Sequence, residues 1–182
     1  MLRNISTLIL AIALLIQSGA QAQNTSSQPG IKARGRGSKL ILKSRGKTYR
    51  FDVSESIDAA KLDDASVLFA TRRPDFTYLL IAACGSSRLE SNDRQCGAGV
   101  ECNLLWIKLS TDWKLKDIKS VRYESCWMPI TSTDGYKIKG HILQLEYSDF
   151  RKKMDYHLTY DADRPESGFI IEESAIKDAE SN

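Results

Sequence analysis

The chain has 182 residues and a net charge of +3, and 42% of its residues are hydrophobic, which suits one domain with its own core and is short for two. A total charge this small names no partner by itself. The charges are nonetheless segregated. Lys32, Arg34, Arg36, Lys39, Lys43, Arg45, Lys47 and Arg50 all precede Asp52, the first acid, while Asp161, Asp163, Glu166, Glu172, Glu173, Asp178 and Glu180 outnumber Arg164 and Lys177 at the other end.

Arg3, an apolar run over about residues 8–16 and a small-residue stretch ending Ala20-Gln21-Ala22 make the three parts of a secretory signal peptide. The run falls short of the ~20 residues that cross a bilayer, so residues 1–22 are expected to be cleaved. That leaves no transmembrane segment and a secreted or periplasmic protein. Residues 23–38 are rich in Ser, Gln, Gly and basic side chains and contain only Ile31 as a large apolar residue. They read as a disordered basic arm.

An all-β domain is expected over residues 39–174. Residues 39–43 and 47–53 are β-branched and aromatic runs around Ser44-Arg45-Gly46, the pattern of a hairpin. Residues 56–64 offer one or two helical turns, with Ser54 or Ser56 as cap. A strand over 67–71 leads through Arg73-Pro74-Asp75 into residues 77–84, which are apolar on both alternation sets, as are residues 102–109. Both are expected to be central strands covered on two faces. Between them, residues 85–100 form a long polar excursion.

Thr111-Asp112-Trp113 turns the chain into a strand over 115–123, and residues 127–135 make a second excursion. Residues 136–147 and 154–161 read as two long strands joined around 148–151. A last strand over 168–172 precedes a disordered acidic tail, residues 175–182. Eight to ten strands and no sustained helix predict a single antiparallel β-sandwich or partly open barrel, disulfide-tied, with at most one short helix.

Four cysteines in an exported chain predict two disulfides. Gly97 and Gly99 let the chain fold back between Cys96 and Cys102, so the pairs Cys96–Cys102 and Cys84–Cys126 are expected. None of the cysteine intervals has zinc-site spacing, and no metal or cofactor is expected.

Two clusters have chemical potential. Alternation places Asp155, His157, Thr159 and Asp161 on one face of the strand over 154–161 and Met154, Tyr156, Leu158 and Tyr160 on the other. If the preceding hairpin turns near Ser148-Asp149, His141 comes opposite His157, and with Asp155 would form an acid/base or metal-assisted hydrolytic site. The competing reading of that face is the solvated side of an amphipathic strand. No G-x-S-x-G or comparable nucleophile motif is present, and no catalytic residue is assigned.

Of the three tryptophans, Trp106 reads as core. Trp113 and Trp127 are the candidate binding residues, because exposed tryptophans anchor protein or carbohydrate partners. The sequence therefore reads first as a small exported binding or inhibitory module using the loops at 85–100 and 127–135. The second reading is the hydrolase with His141, Asp155 and His157. The third is an envelope structural protein that holds acidic polymers through its basic arm. Specific nucleic-acid recognition is not indicated, since no series of aromatic residues accompanies the arm.

Overall fold

A computed structural model describes residues 30–57, 59–87 and 99–176 of the chain. Residues 1–22, expected to be a signal peptide, residues 23–29 of the expected arm, Cys96 with most of the excursion around it, and residues 177–182 of the expected tail lie outside the described residues. Among the described residues the structure is all-β, as expected, with one single-turn 3-10 helix, and no helix is long and apolar enough to cross a membrane.

Three strands, β1 (Ile31–Arg36), β2 (Lys39–Ser44) and β3 (Lys47–Asp52), form a small antiparallel sheet in the order β1-β2-β3. The expected hairpin is present. Arg45 and Gly46 both take positive φ, 49° and 77°, the two-residue turn whose twist matches that of paired strands. The disordered-arm expectation fails from Ile31 onward. Lys32 pairs with Lys43, Arg34 with Ile41 and Arg36 with Lys39, so the basic stretch is a rigid strand. Its inward positions, Ile31, Ala33 and Gly35, are small or apolar and its outward ones are charged.

The remaining strands run as an antiparallel meander: β4 (Lys61–Arg72), β5 (Phe76–Ser86), β6 (Val100–Ser110), β7 (Leu115–Ser125), β8 (Ile130–Lys139), β9 (Ile142–Asp149), β10 (Met154–Asp161) and β11 (Phe169–Ala175). β7 and β8 are joined by one residue pair only, Ser125 with Ile130. The sheet bends there, and β4–β7 and β8–β11 behave as two layers. With the small sheet, the molecule has three.

Two cores separate the layers. Leu79, Ile81, Leu105, Ile107 and Leu109 point from β5 and β6 toward Leu40, Leu42 and Phe51 of the small sheet and Val53 just after it. The alternate residues Tyr78, Leu80, Leu104 and Trp106 meet Leu143, Leu145, Leu158 and Tyr160 on the other side. Residues 77–84 and 102–109 are thus central strands covered on both faces, as their continuous apolar pattern requires. Each fully buried leucine or isoleucine contributes about 1.5–3 kcal/mol. Trp106 is buried and donates its indole N–H to the Pro165 carbonyl at 2.7 Å.

The outer layers are tied to the middle one at particular points. β1 crosses β4 at Gly35, where a Cβ would run into the Leu62 carbonyl, and the Leu62 amide donates to the Gly37 carbonyl at 2.7 Å. On the other side Arg73 reaches Glu166 at 2.9 Å and the Asp163 carbonyl at 2.6 Å. The Thr71 hydroxyl donates to the Ala162 carbonyl at 2.9 Å. β4 and β11 remain edges, so the barrel is not closed.

Three local expectations change. The helical turns expected over 56–64 reduce to one turn, in which the Val53 carbonyl accepts from Ser56 and Ile57, before β4 begins at Lys61. Residues 136–147 are two strands, because Gly140 takes a φ of 61° and turns the chain with His141.

The expected disulfide pairing is also overturned. Cys84 and Cys102 are direct cross-strand partners on β5 and β6, with Cα atoms 4.2 Å apart, and they are bonded to each other. Antiparallel register decides this: the end of β5 lies beside the start of β6. Cys126 is disulfide-bonded as well, and no described cysteine is free.

Candidate binding surfaces

The outer face of the small sheet concentrates positive charge. Alternation points Lys32, Arg34 and Arg36 outward from β1, Lys39, Ile41 and Lys43 from β2, and Thr48, Arg50 and Asp52 from β3. Register aligns them as three rows, Lys32–Lys43–Thr48, Arg34–Ile41–Arg50 and Arg36–Lys39–Asp52. Strand geometry sets rows about 6.8 Å apart and columns about 4.8 Å apart. The six cations are exposed, while Ile41 between Arg34 and Arg50 is 3% exposed. Basic side chains in such positions lay methylene stems over an apolar neighbour and keep the charge in water. None of the six forms an ion pair with a described residue. The single acid, Asp52, is held below the usual carboxylate range first by hydrogen bonding to Ser54.

At the hairpin end of this sheet, Tyr49 and Trp113 stack with ring centroids 4.5 Å apart and planes 11° from parallel. Trp113 sits in the β6–β7 turn with a φ of 64°, a left-handed conformation that costs a bulky residue about 1–2 kcal/mol. The turn imposes it: the Ser110 amide donates to the Lys114 carbonyl and the Trp113 amide to the Ser110 carbonyl, each at 2.9 Å. Asp112 pairs with Lys114 at 2.8 Å. That contact and the Ser110 hydroxyl lower its carboxyl to about 2. A cavity of about 420 Å³ lies here, between the Ser44–Lys47 turn and Thr111–Trp113.

Trp127 is in a different place. Trp113 precedes β7 and Trp127 follows it, so the two predicted binding residues stand at opposite ends of that strand. Trp127 is half-buried, and its indole N–H is buried without a hydrogen-bond partner among the described residues. It lies in the turn after Cys126. There Glu101, fully buried, accepts from the Ser87 hydroxyl at 2.7 Å and from the Cys126 amide at 3.1 Å on one carboxylate oxygen. Gly99 packs against Cys126 with no room for a Cβ. This corner clamps the start of β6 to the end of β7.

The outer face of β9–β11 carries the histidine cluster. As alternation predicts, Leu158 and Tyr160 are buried, while Asp155, His157 and Thr159 lie on the other face. Register flanks His157 with Glu146 and Glu172. Its Nδ1 is 3.6 Å from Glu146 Oε1, and its Nε2 is 3.4 Å from the Thr159 hydroxyl. Asp155 accepts from the Ser148 hydroxyl at 2.6 Å. His141 does not join them. It sits in the β8–β9 turn, 3.8 Å from Asp163, five residues from Glu146 and hence about 17 Å along the strand from His157. Among the described residues no group of three or more His, Cys, Asp or Glu side chains is arranged to hold a metal ion.

No family model, curated protein or solved structure matches the chain. The surfaces therefore stand on their own chemistry. The sequence reading missed that the basic stretch is a sheet face, although the period-2 alternation of Ile31, Ala33 and Gly35 with Lys32, Arg34 and Arg36 carried that signal.

Proposed function

We propose that the protein is an exported binding module that holds acidic polymers on the outer face of its β1–β3 sheet. The observation that carries this reading is the array of six exposed cations in register, with Asp52 as the only acid among the nine outward positions. Like charges fixed side by side repel, and an array with no ion pair to a described residue gains when a polyanion displaces its counterions. A sheet also holds the charges at fixed spacing, so binding does not have to order a flexible arm. The signal-like N-terminus and the disulfides support a secreted or periplasmic location.

The test is direct binding of the disulfide-intact protein at low salt to polyphosphate and to phosphatidylglycerol vesicles. Polyphosphate binding that disappears at high salt is the expected result. Binding to neither probe, or to the vesicles alone, overturns the acidic-polymer reading.

A further inference from the structure

We infer that the cavity beside the Tyr49–Trp113 stack is a saccharide subsite, so that the acidic polymer held by the adjoining basic face is an anionic polysaccharide; this rests on the binding role proposed for that face. The β2–β3 hairpin joins the two surfaces. Its strands carry Lys43 and Arg50 on the outer face, and its turn carries Arg45 and Lys47 into the cavity lining. Neither Arg45 nor Lys47 is in an ion pair with a described residue. The acid of the cavity, Asp112, is already matched by Lys114 at 2.8 Å. The cavity therefore offers uncompensated positive charge beside an aromatic surface.

That combination fits an acidic sugar. A pyranose presents a face of C–H groups, slightly positive, to the negative face of an indole. Its hydroxyls find a donor and acceptor in Thr111 and an acceptor in Asp112, and a uronate carboxylate would take the guanidinium fork of Arg45 or the ammonium of Lys47. The stack holds the Trp113 ring in place, so little side-chain freedom is left to lose on binding. A single-stranded nucleic acid fits less well, because base-stacking grooves use successive separate platforms. Here one ring covers the other, which leaves a single platform.

The experiment compares oligogalacturonate, a neutral cello-oligosaccharide of equal length, polyphosphate and an oligothymidylate, titrated into the disulfide-intact protein with heat and tryptophan fluorescence as readouts. The wild type is expected to bind oligogalacturonate more tightly than the neutral oligomer. Trp113→Ala should weaken that binding by about tenfold or more while changing polyphosphate binding by less than about twofold. A second variant, Arg45→Asn with Lys47→Gln, keeps a residue that tolerates positive φ in the turn and should erase the preference for the charged oligomer.

Retained polyphosphate binding with no oligogalacturonate binding, or with oligogalacturonate binding indifferent to both variants, overturns the saccharide subsite and leaves the basic face standing. Loss of both ligands from the wild type removes the reading of the basic face as well. Oligothymidylate binding that depends on Trp113 as strongly as saccharide binding does also overturns the assignment.

Discussion

The outer face of the β1–β3 sheet and the outer face of β9–β11 are both antiparallel surfaces backed by an apolar core, yet they treat charge in opposite ways. On the first, Lys32, Arg34, Arg36, Lys39, Lys43 and Arg50 crowd together with one acid at the edge. On the second, His157 lies beside Glu146, and Asp155 takes the Ser148 hydroxyl. The second surface is acidic: beside one histidine it carries Glu146, Asp155 and Glu172, and Glu172 forms no ion pair with a described residue. The first is cationic and forms no ion pair with a described residue, and the proposed binding role of the small sheet rests on that contrast.

Reversing Arg34, Lys43 and Arg50 to glutamate should break the contrast most severely. The array would then be half acidic, and polyphosphate affinity is expected to fall by at least about a hundredfold, since each cation contributes on the order of 1 kcal/mol at an anionic surface. The same titration of a variant in which Glu146, Asp155 and Glu172 become Gln, Asn and Gln should match the wild type. A gain in affinity from the second variant, which raises the net charge while the first lowers it, would mean that net charge alone governs binding.

Next in size is the anchoring of the sheet. Gly35→Val forces a side chain against the Leu62 carbonyl, and overpacking of this kind costs about 1–3 kcal/mol. Urea unfolding should show the lower midpoint. Polyphosphate affinity should drop as well, because the array loses its support on β4. An unchanged midpoint would show that β1 does not depend on this close approach.

A smaller effect is expected at the histidine. His157→Ala alters an exposed, weakly paired position, so stability should move by no more than about 0.5 kcal/mol, with polyanion binding unchanged. A much larger shift, or loss of binding, would give the third layer a role in binding that the weak His157–Glu146 contact does not suggest.

The smallest effect concerns the Trp113 turn. The carboxyl of Asp112 lies at about 2, below its ordinary 3.8. A lowered folded value stabilises the protein above the unfolded one, and the contribution fades as pH falls from about 4 toward about 2. Asp112→Asn should therefore flatten that part of the stability profile, measured as melting temperature between pH 2 and 5, and leave neutral pH almost untouched. A wild-type Asp112 titrating near 3.8 by NMR would show that the turn is not held by Lys114 and Ser110.

Much of the architecture was legible in the chain. Residues 77–84 and 102–109 are apolar on both alternation sets, and their short length, β-branched and aromatic content and flanking loops favoured a doubly covered strand over a buried helix, while Ser44-Arg45-Gly46 specified its turn. The alternation in 154–161 placed Leu158 and Tyr160 inside correctly. What escaped depends on contacts distant in sequence. β1 has small inward residues, so its strand character comes from pairing with β2 and from crossing β4 at Leu62. One glycine, Gly140, converts an apparent long strand into a hairpin, and the β9–β10 register, which sets Glu146 opposite His157, leaves His141 five residues away. Cysteine spacing alone could not show that β5 and β6 bring Cys84 beside Cys102. For the site, the sequence supplied Trp113 but not its stack on Tyr49, which requires the small sheet to sit over the middle layer.

The central claim, that an in-register cationic face rather than overall charge binds the partner, is tested most directly by the salt dependence of polyphosphate affinity. If the six cations each displace a counterion, the logarithm of affinity should fall against the logarithm of salt with a slope of about −4 to −5, and reversal of Arg34, Lys43 and Arg50 should flatten it. A wild-type slope near zero, or one that the reversal leaves unchanged, would contradict the claim.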